Sequence, residues 1–510
     1  MNRHIFDMKK HYFLFAAGKA AYAIIFSISK ASNQFSGLYG SKKMKAKSWR
    51  LYGASDLRLE DVELPAAGAD GVVVEIVANS VCVSDYKCVT LGAGHKRVPG
   101  DIASHPVMVG HEMSGIVREV GEKWKDRFRV GQRVGIQPTL NVPGHELDSV
   151  IGFSWRSVGG ESTHVYLPSI VMEMGCLLPY NGDAFFKCSL AEPISCVLAG
   201  LRANYHNAQA AHEHIQGIAE GGAMLLMAGC GAMGLGCVDI ACHSPERRPR
   251  MLVVTDVDEY RLSRAARMFG LAGNGDSTSP RLRRTSQGTG NGGLGVVASG
   301  KVNGVDLYFV NTKTIDDPVK ALKSFPGAEN GYDDIFVMAA VPALLSQCSS
   351  LLAYDGCLNF FAGPKDKDLV ASFNFYNVHY MMHHVAANSG SLVCDMVDSV
   401  DWIGRGALHP EVMVTHVGGL DSAADATLTL MDIPGGKRLV YTHVSMPMTA
   451  IADFAEKGKT NPMFAELGRI CTAHSGLWCK EAEDYLLANA PKVEIGEPKE
   501  QIEERVLTCS

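Results

Sequence analysis

The sequence is short of several things, and each shortage removes a class of function. It has no long unbroken apolar run. The best candidate, Tyr12 to Ile28, is split by Lys19 and falls below the ~20 residues a membrane helix needs. It has no basic excess: 48 Lys and Arg face 54 Asp and Glu, a formal net charge of -6, so the cationic stripe of a nucleic-acid binder is missing. The one tight basic cluster, Arg281 to Arg284, sits in a Gly/Ser/Thr-rich stretch and reads as a solvated loop. Internal repeats and zinc-knuckle cysteine pairs are also missing. The 14 cysteines are scattered, which argues for reduced thiols and a cytoplasmic location, not for a disulfide framework.

What remains is an ordinary globular composition, 46% hydrophobic and 20% charged, in a chain of 510 residues. That length exceeds what one core supports, so two or more domains are expected. Residues 1–43 stand apart as an extension that is disordered or wrongly assigned, with a targeting role as the alternative. The folded protein is expected to start near Met44. From Trp49 the texture is strand-like and punctuated by glycine. Val72 to Val77 and Met113 to Val120 read as strands, and Val130 to Val134 as strand, tight turn, strand. Leu190 to Tyr205 is apolar at helical spacing. Buried strands then alternate with helices: Ala223 to Ala228, a helix from Ala232 to Cys242, Met251 to Thr255, a helix from Asp258 to Phe269, and strands near Val305, Ile335 and Cys357. Fully apolar strands alternating with helices predict a doubly wound parallel sheet. Residues 273–303 read as an inserted flexible loop, and Pro462 to Ala490 as helical. The domains are expected at 44–205, 206–388 and 389–510, the last returning to the first before a helical tail.

Gly229-Cys230-Gly231-Ala232-Met233-Gly234 is a full G-x-G-x-x-G between a buried strand and a helix, the context a dinucleotide site requires. The glycines allow a tight turn, close approach of a pyrophosphate and helix-on-strand packing. The helix N-terminus offers free N–H groups to the diphosphate. Asp256 ends the next strand, 22 residues after Gly234. A carboxylate there accepts from both ribose hydroxyls and repels a 2′-phosphate, which favours NAD(H). Arg261 is placed either near the adenine ribose or as a solvated helix residue.

Four residues suggest a metal: Cys82, His111, Glu112 and Glu192. A thiolate, an imidazole and a carboxylate with one open position suit catalytic zinc. Gly110 to Gly121 reads G-H-E-x-x-G-x-x-x-x-x-G, and with Cys82-Val83-Ser84-Asp85, Gly131-Gln132-Arg133-Val134, Gly159 to His164 and Ala191-Glu192-Pro193 it resembles the zinc-containing medium-chain dehydrogenases, in order, over residues 46 to 450. The Glu192 element resembles the branch in which glutamate replaces a cysteine.

The resemblance implies a GroES-like catalytic domain beside a Rossmann domain, one catalytic zinc per chain, NAD(H), and a homo-oligomer (dimer or tetramer). It implies that Cys82 and His111 ligate zinc and that Glu112 and Glu192 supply the rest, leaving open which of them binds directly. Asp85 would orient His111, and Ser84 would accept the substrate proton. Lys87 stands where many members carry a relaying histidine, and could move a proton or attract an anion. Val83 replaces a glycine, and Trp124 stands where a small or β-branched residue is usual. The structural-zinc cysteines are missing, since no cysteine lies between Cys88 and Cys176.

Trp49 to Gly53, Gly356 to Pro364 and Asn374 to Tyr380 resemble the branch that reduces ketose phosphates. The implied substrate is a ketose phosphate such as L-sorbose 1-phosphate, with unphosphorylated polyols as the alternative and a non-catalytic dinucleotide sensor as the third reading. Lys96 and Arg97, in the densest cationic group between Cys82 and His111, are the candidates for holding a phosphate.

Overall fold

The computed structural model describes residues 43–140, 149–209, 211–271, 294–364, 366–433 and 435–503. The expectation for residues 1–43, apart from Lys43, and the basic cluster Arg281 to Arg284 therefore lie outside the described residues. Lys43 itself pairs with Glu63 at 2.8 Å.

The strand Val72–Val81 buries every residue except Glu75. A strand apolar on both faces must be central and covered twice, and it is: Glu112–Val120 lies on one side and Lys437–Tyr441 on the other. The sheet runs Thr449–Ala450, Val414–Gly419, Lys437–Tyr441, Val72–Val81, Glu112–Val120, Arg133–Ile136, Leu177–Pro179, with His164–Leu167 paired beside Val72–Val81. Strands from near the start and the end of the chain thus share one sheet. Val130 is no strand residue. Gly131 takes a φ of +85°, which turns the chain before a single strand at Arg133–Ile136. Trp124 is buried, and its Nε1 donates to the Asp70 carbonyl at 2.6 Å.

The second large sheet has the order Val296–Val302, Val305–Asn311, Met251–Asp256, Ala223–Met227, Tyr332–Val337, Leu352–Phe360, His384–Ala386. All neighbours are parallel except the first pair. The chain winds outward from Ala223–Met227 in one direction, then returns to build the other half from Tyr332–Val337. That reversal opens a crevice at the carboxyl ends of the two central strands, where ligands of such sheets bind.

The expected loop at 273–303 needs correction at its end, where Val296–Val302 forms an edge strand antiparallel to Val305–Asn311. Asn303 and Gly304 link them with φ of +44° and +90°. Two positive φ values make the tight hairpin turn that Asn-Gly favours. The helical tail consists of two helices, Pro462–Ala473 and Lys480–Asn489. Ser475 and Gly476, both at positive φ, break them apart. Among the described residues no helix is long and apolar enough to cross a membrane, and the described cysteines are all unpaired thiols.

Candidate metal centre and nucleotide crevice

Three adjacent strands end together at one edge of the first sheet. Ser80 lies opposite Glu112 in register, and Arg438 lies opposite Val81. The residues just there are Cys82, following Val72–Val81; Glu112, opening Glu112–Val120; and Lys437, opening Lys437–Tyr441. Strand pairing alone delivers a thiol, a carboxylate and an ammonium to one place. His111 precedes Glu112 by one residue. Gly110 makes this possible with a φ of +91°, and a Cβ there would come within 2.8 Å of the Glu161 backbone nitrogen.

The ligating atoms of Cys82, His111 and Glu112 all lie within 4.8 Å of one another. Cys82 caps the helix Val83–Leu91. Asp85, in its first turn, accepts from the Cys82 backbone N–H at 2.9 Å and, with its other oxygen, meets His111 Nδ1 at 2.7 Å. One buried carboxylate therefore sets both the helix start and the imidazole orientation, leaving Nε2 for the centre. Burial opposes charge on His111, but Asp85 and Cys82 outweigh it and hold the imidazole well above its ordinary pKa. Glu161, buried behind the site, is pushed up to about 8 by burial and by Asp85, with Thr427 donating to it at 3.0 Å.

The two glutamates differ. Glu112 has both oxygens engaged, one by the Ser80 hydroxyl and one by the Lys437 ammonium. Glu192, in the first turn of Ala191–Ala203, falls outside the close trio, and among the described residues its carboxylate receives only the Cys196 thiol, at 3.6 Å. Burial lifts Glu192 to about 7; Glu112 adds to the rise while His111 and Lys437 oppose it. Lys437 is the residue that reading the sequence missed. It sits 325 positions from Glu112, and a lone lysine opening a strand carries no local signal.

Ser84 is exposed on the first turn of the same helix, and Lys87 follows three residues later. The Lys87 ammonium reaches the second sheet, 3.9 Å from where a Cβ of Gly363 would stand, just past the carboxyl end of Leu352–Phe360. Lys96 and Arg97 lie on the loop after the helix. The ring of Phe153 stands 5.7 Å from His95 and 5.0 Å from His111, so that loop flanks the donor trio across one aromatic ring.

In the second sheet Gly231 caps the helix Ala232–His243. Gly229 and Gly234 are dictated by packing. A Cβ on Gly234 would come within 2.2 Å of the Gly229 carbonyl, and one on Gly229 within 2.7 Å of Leu226. Gly231 is different, because a Cβ there would meet nothing within 4 Å. The protein itself does not require that glycine, and the space beside it, with Ala232 and Met233 opening the helix, suits a bound diphosphate. Asp256 turns its carboxylate toward this turn, accepting from the Cys230 N–H at 3.2 Å and the Val257 N–H at 2.8 Å. Arg261 is drawn toward Asp258, at 3.8 Å, on the solvent side of its helix.

Residues 68–174 match the family model of the alcohol dehydrogenase GroES-like domain. The chain is 42% identical over 438 residues to mannitol-1-phosphate 5-dehydrogenase of Aliivibrio fischeri, covering 86% of this chain and 96% of that protein. It is 38% identical over 444 residues to L-sorbose 1-phosphate reductase of Klebsiella pneumoniae, covering 87% and 98%. The chain belongs to the zinc-containing medium-chain alcohol/polyol dehydrogenase family.

Solved structures agree on the fold of this dehydrogenase. 2R,3R-butanediol dehydrogenase from Bacillus subtilis aligns with a TM-score of 0.58 at 18% identity, over 78% of this chain and 99% of that one. A Sinorhizobium meliloti protein described as a zinc-binding dehydrogenase, bound to NADP, aligns at 0.59 and 18%, over 78% and 100%. The GroES-like and Rossmann parts of the dehydrogenase are thus the two large sheets described above.

Proposed function

We propose that this oxidoreductase uses zinc and NAD(H) to interconvert a ketose phosphate, such as L-sorbose 1-phosphate, and the corresponding polyol phosphate. The observation that carries this reading is the placement of the His95-Lys96-Arg97 loop beside the donor trio, one phenyl ring from His111. The relatives named for a mannitol phosphate and a sorbose phosphate support it.

The donor set fits zinc: thiol, imidazole and carboxylate, with Cys82 only half buried. Cys82 and His111 would be two ligands. The carboxylate closest to the thiol and imidazole is Glu112, but both its oxygens are engaged by Ser80 and Lys437, so Glu192 would move in as the direct carboxylate ligand, with Glu112 supporting it. When bound, zinc would supply Lewis-acid polarisation of the substrate C–O bond and the nicotinamide the hydride chemistry. Asp85 holds the His111 ring in place. The Ser84 hydroxyl takes the substrate proton, and Lys87, on the same helical face one turn on, either carries it outward or attracts an anionic substrate. The Gly229–Gly234 turn and Asp256 hold the coenzyme, with Arg261 left to the solvent side.

The test is a steady-state comparison of ketose phosphates with free ketoses and polyols, using NADH and NADPH. Lys96→Ala or Arg97→Ala is expected to weaken kcat/KM for the phosphorylated substrate by ~1–3 kcal/mol, the usual worth of a hydrogen bond to a charged group. Use of the free ketose should hardly change, and added salt should shrink the phosphate advantage. Equal losses on both substrates would reject the loop as a phosphate site and favour a free polyol.

The same kinetics test coenzyme choice. Asp256 should make NADH the better substrate, and Asp256→Ala should narrow the gap by admitting a 2′-phosphate beside the Gly-rich turn. An enzyme that already prefers NADPH would contradict the role given to Asp256.

A further inference from the structure

We propose that Asp239, His243 and His409 form a second, non-catalytic site for a divalent transition-metal ion of the zinc type. These residues share nothing with the Cys82 centre. Asp239 and His243 are four apart on the helix Ala232–His243, so their side chains lie on one face. His409 comes from a different part of the chain, just before the short turn Pro410–Met413 that leads into Val414–Gly419.

The ligating atoms of the three lie within 4.8 Å of one another. Asp239 Oδ1 is 2.9 Å from His243 Nδ1 and 3.2 Å from His409 Nδ1. Tetrahedral zinc with ligands at ~2.0–2.1 Å has donor–donor edges of roughly 3.3 Å, so these side chains need to move little to enclose an ion. Two imidazoles and a carboxylate are the donors that zinc, cobalt and nickel prefer. Asp239 is fully buried, whereas His243 and His409 keep 21% and 44% of their side chains exposed, which gives an ion access from solvent.

A second observation points the same way. Glu411, two residues after His409, has a buried Oε2 with no hydrogen-bond partner. Its Oε1 is 3.8 Å from the Lys187 ammonium, too far for a hydrogen bond. Glu411 therefore keeps a buried, unsatisfied carboxylate oxygen two residues from His409, although its oxygens lie outside the close group of ligating atoms. Binding through Nδ1 would require each neutral imidazole to carry its proton on Nε2 in place of the Nδ1–H that now meets Asp239, and any second ring proton to go to solvent. It would also tie the helix that opens at the Gly-rich turn to the segment feeding the catalytic sheet, a crosslink in a chain without structural-zinc cysteines.

The test is metal analysis of purified protein after dialysis against metal-free buffer. Wild type is expected to hold about two zinc ions per chain. His243→Ala combined with His409→Gln should lower this to about one while turnover persists, and Cys82→Ser should also leave about one. Cobalt(II) added to stripped Cys82→Ser protein should bind one equivalent with d–d absorption lacking a thiolate charge-transfer band, which bears on the proposal even if the histidine variant fails to fold. A single zinc that disappears with Cys82→Ser, together with no cobalt binding by that variant, would overturn the second site and leave Asp239 as an ion-paired carboxylate. Two ions in wild type but no turnover on any sugar or polyol would instead count against the proposed reaction and spare this site.

Discussion

Cys82→Ser and His111→Ala should each lower kcat by about 10³-fold or more, which is a loss of ~4 kcal/mol or more of transition-state stabilisation. Lewis-acid polarisation of the reacting oxygen is worth several kcal/mol, and no other described group at the site replaces it. The imidazole is held between Asp85, at 2.7 Å, and the Cys82 and Glu112 donors, so its removal takes away a proposed ligand and leaves Asp85 buried without its partner. Dinucleotide binding, followed by NADH fluorescence, should stay within about threefold of wild type, because the Gly229–Gly234 turn belongs to the other sheet and shares no residue with the trio. Melting curves would confirm that the variants fold. Turnover within tenfold of wild type in a folded variant would reject the metal mechanism.

Lys437→Met should destabilise the protein by ~3–5 kcal/mol, the usual result of removing one partner of a buried ion pair. The Glu112 side chain is fully buried and Lys437 is 5% exposed. Among the described residues no other lysine or arginine stands within ion-pair distance of Glu112. Burial opposes charge on Lys437, yet Cys82, Glu112 and Glu192 outweigh it and raise its pKa, so the ammonium stays charged across the physiological range. Removing it leaves a cluster of acids facing one another. Glu112→Gln in the same chain should restore most of the loss, since the uncompensated charge goes with it. Urea unfolding with linear extrapolation reads both variants. A loss below about 1 kcal/mol in the single variant would show that Glu112 does not depend on this lysine.

Legibility in the chain tracked the range of the interactions involved. The strand Ala223–Met227, the glycine turn and the helix Ala232–His243 were readable because apolar runs, glycine spacing and helical period are all local. So was the start of Ala191–Ala203. The edge strand Val296–Val302 was lost in a Gly/Ser-rich stretch, although its turn residues Asn303 and Gly304 carry a hairpin signal. At Val130 the error ran the other way: a β-branched residue read as strand precedes a glycine at positive φ and is left exposed.

Composition and motif order established a two-part chain with a dinucleotide turn and a set of possible metal ligands, because these follow from residue types at short spacing. They left Glu112 and Glu192 equivalent. The sheet register separated the two. Pairing puts Ser80 opposite Glu112 and brings Lys437 alongside, engaging that carboxylate on both oxygens, while Glu192 stays nearly unpartnered on its helix. The meeting of Asp239 and His243 with His409, from 166 residues further along the chain, likewise exists only once the helix packs against the segment entering the other sheet. Hydrogen bonds and ion pairs depend on distances of a few ångströms between side chains, and for residues hundreds of positions apart those distances are set by strand register and helix packing.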